Sequence, residues 1–364
     1  MGPQPAVRIV PDHPKKPLVR RFAPDHSQRT RHIVQGLFVA LNLFIGLQFY
    51  LWVRSFEGAS PTFTVSRPAG AEGWLPIAGL MNLKYLLVTG HIPAIHPAAM
   101  FLFLAFVLIS LLLKKAFCSW LCPVGTLSEF LAHLGRRIFG RNLRIPRSVD
   151  IPLRALKYLL LAFFVAFIGA MSAETLTGFM LTPYGLVADV KMLDFFRQMS
   201  LTVAAVLLVL VLASMLVQHF WCRFLCPYGA LLGLVSILSP VKIRRDAQAC
   251  IDCGKCARVC PAALPVDQLV QVRSAECSAC MICVAACPQQ DALQFALAPR
   301  RAPAPAQRWS RRVLRPLAVA CLIAYLFIGT VLLARVTNHW QTNLPDSVYR
   351  SLVPNIDAVA HPGI

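Results

Sequence analysis

Charge is scarce in this chain of 364 residues: Asp, Glu, Lys and Arg together make 14% of it, and 16 acidic side chains face 36 Lys and Arg. With 57% hydrophobic residues and a mean hydropathy of +0.60, that scarcity excludes an ordinary soluble globular protein. Three motifs are missing as well. No C-x-x-C-H is present to attach a c-type haem, and no G-x-G-x-x-G follows a strand to bind a nicotinamide cofactor. Nor does an A-x-A-like cleavage site follow the first apolar stretch, which ends in Trp52-Val53-Arg54 behind a basic arm. That stretch reads as a retained signal anchor.

What is present instead is apolar length. Five stretches are candidate spans: about Ile33 to Val53, Ala98 to Leu113, Leu156 to Met171, Leu201 to Phe220 and Val313 to Val336. Threading the chain through them with the N-terminus inside puts the whole formal charge of +20 on the inner side and leaves the outer side neutral. Such asymmetry follows the positive-inside rule and fixes an orientation, with the N-terminus cytoplasmic and the C-terminus periplasmic. The basic residues flank membrane helices rather than forming one groove, so nucleic acid is excluded as a partner and membrane lipid is expected. Twelve of the 13 cysteines then lie on the reducing side, and Cys321 falls within the last span without an assigned role.

Eight of those cysteines form two runs of one spacing, C-x2-C-x2-C-x3-C-P, over Cys250 to Pro261 and Cys277 to Pro288. The spacing reads as two [4Fe-4S] clusters, because three thiolates on one tight loop hold three corners of a cubane while the fourth cysteine points away to the other cluster. Cys250, Cys253, Cys256 and Cys287 are therefore assigned to one cluster, and Cys277, Cys280, Cys283 and Cys260 to the other. Zinc knuckles, the bland alternative, use separated C-x2-4-C pairs and fit the third cysteine and the Cys-Pro poorly.

A second signal lies outside these runs. Phe117-Cys118-Ser-Trp-Leu-Cys122-Pro-Val-Gly125 and Trp221-Cys222-Arg-Phe-Leu-Cys226-Pro-Tyr-Gly229 align without a gap, each just after a candidate span. The membrane part is thus read as an internal duplication whose halves are related by an axis along the membrane normal. Cys118, Cys122, Cys222 and Cys226 would converge at the inner surface as a third metal site, either an iron-sulfur cluster or soft-metal thiolates such as copper(I), as a redox dithiol, or as small residues for close packing. His91 and His96, beside Pro93 and Pro97, read as loop histidines, with metal ligation or proton acceptance from a quinol as the alternative.

The two cysteine runs, the two C-x3-C-P motifs and the five spans together resemble the bacterial membrane-bound polyferredoxins of the NapH, NosR and CcoG kind. The stretches Glu72–Lys84, Lys114–Pro123, Val190–Arg197 and His361–Ile364 look like the YccM-like branch of that family. The resemblance implies an inner-membrane electron-transfer protein, with the eight ferredoxin cysteines as ligands. The chain departs from the NosR kind in lacking a long periplasmic flavin-binding domain and from the NapH kind in having a fifth span.

The expected architecture is a membrane all-α bundle of five internally duplicated transmembrane helices with an inserted small α+β two-[4Fe-4S] ferredoxin domain. Its divisions are a disordered basic arm (1–32), a first membrane repeat (33–130), a basic loop (131–155), a second repeat (156–240), the ferredoxin domain (241–298), a linker (299–312), a fifth helix (313–336) and a periplasmic tail (337–364). The expected role is an electron-transfer subunit rather than a stand-alone enzyme. It would pass single electrons between a quinol or cytoplasmic reductant and a membrane or periplasmic redox partner. The alternative is a copper reductase or assembly factor acting through the C-x3-C-P cysteines. Quinone and a third metal site are the cofactors left open beside the two clusters.

Overall fold

The computed structural model describes residues 18–21, 25–58, 65–297 and 313–362. Most of the expected basic arm and the whole expected linker fall outside them. Helices dominate the rest: α1 (Ser27–Glu57), α2 (Pro76–Thr89), α3 (Pro97–Leu112), α4 (Ala116–Trp120), α5 (Pro123–Phe139) and α6 (Arg147–Ala170). There follow α7 (Ala173–Met180), α8 (Pro183–Leu186), α9 (Ala188–Arg197), α10 (Leu201–Leu216) and α11 (Pro227–Val235), with a π-helical turn at Trp221–Leu225. The ferredoxin segment holds β1 (Val241–Arg245), α12 (Lys255–Arg258), α13 (Ile282–Ala286) and β2 (Leu293–Leu297), and α14 (Pro316–Val336) and α15 (Asp346–Leu352) complete the chain.

Among the described residues three helices, α1, α6 and α14, are long and apolar enough to cross a membrane, and α9 with α10, bent by 83°, would make a fourth. The helix over the second expected span, α3, has 16 residues, about 24 Å at 1.5 Å per residue, against a hydrocarbon core of about 30 Å. Its side chains from Pro97 to Phe103 are buried, so α3 is the central post of the bundle, packed on α2, α11 and α14.

Proline opens α3, α5, α11 and α14, where its fixed φ suits the first turn and its missing N–H costs no hydrogen bond. In each Cys-Pro the proline therefore starts a helix, which makes Cys122 and Cys226 the N-caps of α5 and α11. The packing around the two motifs repeats: α1 contacts α4 and α5 as α6 contacts the π-helical turn and α11, and α5 lies on α10 as α11 lies on α3.

The ferredoxin segment is closed by β1 and β2, which pair antiparallel with Val241 opposite Leu297 and Arg245 opposite Leu293. Both cysteine runs lie between these strands in sequence. Ile243, Phe295, Val266 and Val272 form its core, continuous with Trp120 and Leu232 of the bundle. Residues ahead of α1 join in, since the Val19 N–H donates to Gln289 Oε1 and the Gln290 N–H to Val19 O, both at 2.9 Å.

Candidate iron–sulfur centre

The two runs wind alike. In the first, Asp252 and Gly254 flank the second cysteine with φ of 52° and 65°; in the second, Ala279 and Met281 do so with φ of 52° and 57°. Left-handed residues on both sides of one cysteine curl the loop tightly, and three non-glycine side chains accept a conformation that costs about 1–2 kcal/mol each. Met281 and Ala279 are buried while doing so, held by the module's core.

Cys260, Cys277, Cys280 and Cys283 line one small cavity with Ile243, Leu264, Val266 and Val272. Cys287 instead interacts electrostatically with Cys250 and Cys253, and Cys256 with Cys250 and Cys287. The structure thus brings the fourth cysteine of each run to the other run. Burial pushes the Cys256 and Cys280 thiols up to about 11, while the N–H groups of Ala257 and Ile282 work the other way. These donors are all thiols, set among apolar side chains and backbone N–H groups, which suits thiolate-bound iron and the tuning of its potential. Among the described residues, no three His, Cys, Asp or Glu side chains stand close enough to hold a single metal ion. A cubane attaches each thiolate to a different iron and asks for that wider spread.

The cavity-forming loop of the second run is held to the bundle by the first C-x3-C-P motif. Ser119 Oγ donates to Ser278 O at 2.5 Å, and the fully buried Trp120 donates Nε1–H to Ala279 O at 3.1 Å. Lys114 Nζ donates to Ser274 O at 2.9 Å, and Gln28 Nε2 to Cys280 O at 3.0 Å. Lys157 and Tyr158 of α6 both bind Glu276, at 2.6 and 2.9 Å. Burial opposes ionisation of Glu276, but Lys115 and Lys157 hold its carboxyl below the usual range. The Cys260 loop is held through the second motif: Arg223 pairs with Asp150 at 2.6 Å, Asp150 with Arg154 at 2.5 Å, and Arg154 donates to Ala262 O at 2.8 Å. Gly233 of α11 comes so close that a Cβ there would sit 2.8 Å from Ala275 O.

A clamp at the start of α1 supports the first motif. Arg31, 1% exposed, binds Glu129 of α5 through two bonds of 2.6 Å, and Gln35 donates to Ser119 O at 3.0 Å. Burial works against the Glu129 carboxylate, yet Arg31 holds it down at about 2.

Cys118, Cys122, Cys222 and Cys226 all line one mostly apolar cavity of about 860 Å³. Cys226 Sγ accepts the Gly229 N–H at 3.2 Å, and the Gly125 N–H addresses Cys122 likewise. A Cβ on Gly125 would meet Cys118 O at 2.2 Å, which explains the glycine in that motif. The same cavity reaches Arg67 and Trp74 near the opposite end of α1. There Arg67 pairs with Asp189 at 2.6 Å and Glu72 at 2.8 Å, and His96 lies 3.3 Å from Glu72. Burial is again the largest influence on Glu72, but His96 and Arg67 hold it at about 2. His96 is sealed in this network, whereas His91 is exposed and turned onto Thr89 O, so the two histidines do not share a site.

Sequence reasoning missed Gln28, Arg31, Lys114, Lys115, Trp120 and Glu129. A double lysine directly ahead of Phe117-Cys118 in an apolar stretch was the one local signal available.

Residues 95–142 and 199–246 match one family model, described as a 4Fe-4S binding domain, and residues 242–291 match another, described as a 4Fe-4S dicluster domain. The chain is 52% identical over 331 residues to "Putative electron transport protein YccM" of Escherichia coli K12, covering 91% of each chain. It is 33% identical over 216 residues to the ferredoxin-type protein NapH of the same organism, covering 57% of this chain and 70% of that one. Protein NirI of Paracoccus denitrificans is 26% identical over 290 residues, 77% of this chain and 42% of its own. No solved structure matches. The cofactors of the ferredoxin module are [4Fe-4S] clusters, and the donor set described above fits them.

Proposed function

This chain belongs to the YccM family of 4Fe-4S electron-transport proteins, and from that premise we propose that it passes single electrons from its ferredoxin module into a membrane bundle. In this reading the eight cysteines of the two runs are the cluster ligands, with Cys287 and Cys260 exchanged between runs. The bundle has five spans, α3 and α10 reaching across with their flanking segments. The module faces the cytoplasm, on the side that carries the positive charge. The donor is a quinol or a cytoplasmic reductant, and the acceptor is a membrane or periplasmic redox protein. An internal duplication is supported by the repeated packing around the two C-x3-C-P motifs and by a family model that matches twice, 104 residues apart.

The observation that carries the proposal is the grip of Ser119 and Trp120, which lie between two motif cysteines, on the backbone beside Cys277 and Cys280. A ferredoxin that served only soluble partners would have no use for so short a connection. The test is EPR on anaerobically purified protein exposed to a quinol analogue or to a reduced soluble ferredoxin. Two [4Fe-4S] signals that one of these reduces and a downstream oxidant reoxidises are expected. Signals that neither reduces would contradict the proposal. The copper-reductase reading draws on four soft thiols sharing one cavity.

A further inference from the structure

The first cysteine run reaches the surface in a setting of positive charge. Among the described residues, Cys253 is the one ferredoxin cysteine that is exposed, and Lys255 and Arg258 of α12 are exposed with it. The Arg258 guanidinium donates to Cys253 O at 3.0 Å, which ties that cation to the cysteine's own backbone. Cys287 interacts electrostatically with Arg21 as well as with Cys253, and the exposed Arg20 is bridged to Gln289, two residues further on. Arg144, exposed in the turn ahead of α6, donates to Arg258 O and continues the same face.

The acidic groups nearby do not offset these cations. Asp252 pairs with Arg245 at 3.2 Å and Asp25 with Arg21 at 3.0 Å, while Asp246 accepts the Gln248 and Ala249 N–H groups at 2.8 and 3.2 Å. Asp267 interacts with Cys256 and has its Oδ1 buried. Among the described residues, no acidic side chain forms an ion pair with Arg20, Arg144, Lys255 or Arg258, which leaves a cationic rim around the ligand that meets water. The second run has no such face, because Ser119 and Trp120 fasten it to the bundle.

A rim of one sign around a redox ligand acts on a partner by steering: it raises the rate of encounter with a molecule of opposite charge and turns that molecule's complementary patch towards the ligand. Anionic lipid headgroups carry the complementary charge too, but a lipid has no electron to exchange, and this rim is centred on a cluster ligand. We propose that the face around Cys253 docks a soluble, acidic one-electron carrier protein, with Arg20, Arg144, Lys255 and Arg258 as its contacts. The proposal rests on the electron-transfer reading above and narrows its donor. The carrier loses one electron as the first run's cluster gains it, with no bond made or broken and no proton moved.

The test uses full-length protein purified anaerobically in detergent and an acidic [2Fe-2S] ferredoxin as probe. Binding of the oxidised ferredoxin is measured by calorimetry, and electron transfer from the reduced form by rapid-freeze EPR, in which [2Fe-2S] and [4Fe-4S] signals are distinct. Affinity and rate should each fall about tenfold or more between about 20 mM and about 500 mM salt. Lys255→Glu should lower both about tenfold at low salt and match wild type at high salt, with its iron content kept. Should that variant fail to load its cluster, Arg20→Glu decides in its place, with the same expected loss. Binding and rate that ignore both salt and the charge reversal overturn the proposal. So does a loss of co-purified anionic phospholipid in the variant with ferredoxin binding unchanged, which would give the face to the membrane. A quinol analogue that reduces both clusters while the ferredoxin neither binds nor reduces them overturns this inference and leaves the electron-transfer reading standing. Clusters that neither reduces break that reading first and this one with it.

Discussion

The two cysteine runs share one spacing and one backbone winding, yet their surroundings differ. The first run carries the exposed Cys253 and sits beside solvent-facing Asp252 and Arg258, while the second is gripped at Ser274, Ser278, Ala279 and Cys280 by side chains from α1, α4 and the turn before α4. A shared ligand spacing makes matching loops, and long-range neighbours then give them different surroundings. In the proposed reading the exposed run meets a donor and the gripped run hands electrons on.

The strongest way to break this comparison is to remove the exchanged cysteines. Cys287→Ser should abolish the signal that Cys253→Ser abolishes, and Cys260→Ser the signal that Cys280→Ser abolishes, each with a loss of about four irons. The opposite pairing, seen by EPR, would return each fourth cysteine to its own run.

The second run's hold can be loosened without touching a ligand. Glu129→Ala leaves Arg31 buried and unpaired, which should destabilise the protein by about 3–5 kcal/mol in chemical unfolding. It should also broaden the second run's EPR signal more than the first's. The same pair sets an acid limit. Because Glu129 is held at about 2, below its ordinary value of 4.5, its contribution is complete above about pH 4.5 and is lost as the pH falls from there towards 2. The stability gap between wild type and Glu129→Gln should therefore be flat from pH 7 to 5 and close below 4.5.

Gly233→Ala should displace the Ala275 backbone and cost about 1–3 kcal/mol, as overpacking does. The resulting shift in potential should be confined to the second run. Ser119→Ala removes one hydrogen bond and should cost about 1 kcal/mol, the smallest effect of the series in the same titration.

The ferredoxin loops were legible in the sequence because their chemistry is local: ligand spacing, Gly254 and Cys-Pro all lie within a dozen residues. The meeting of the four C-x3-C-P cysteines was legible too, from the repeat of a motif behind two apolar stretches. Hydropathy was less informative about span length. It registers how apolar α3 is, whereas 16 residues buried on nearly all sides make a central post of the bundle. The clamp was beyond reach, since Arg31 and Glu129 are 98 residues apart and Gln28 and Cys280 are 252 apart. No periodicity or propensity encodes such pairings. His91 and His96 looked alike beside their prolines, and only the burial of His96 against Glu72 separates them.

The most direct test of the account is EPR power saturation of the reduced, full-length protein with a water-soluble paramagnetic relaxant, the two signals identified through Cys287→Ser and Cys260→Ser. The account predicts that the signal lost in Cys287→Ser relaxes faster on adding the relaxant and that the one lost in Cys260→Ser hardly responds. Equal responses, or the reverse order, would contradict a second run docked against the bundle.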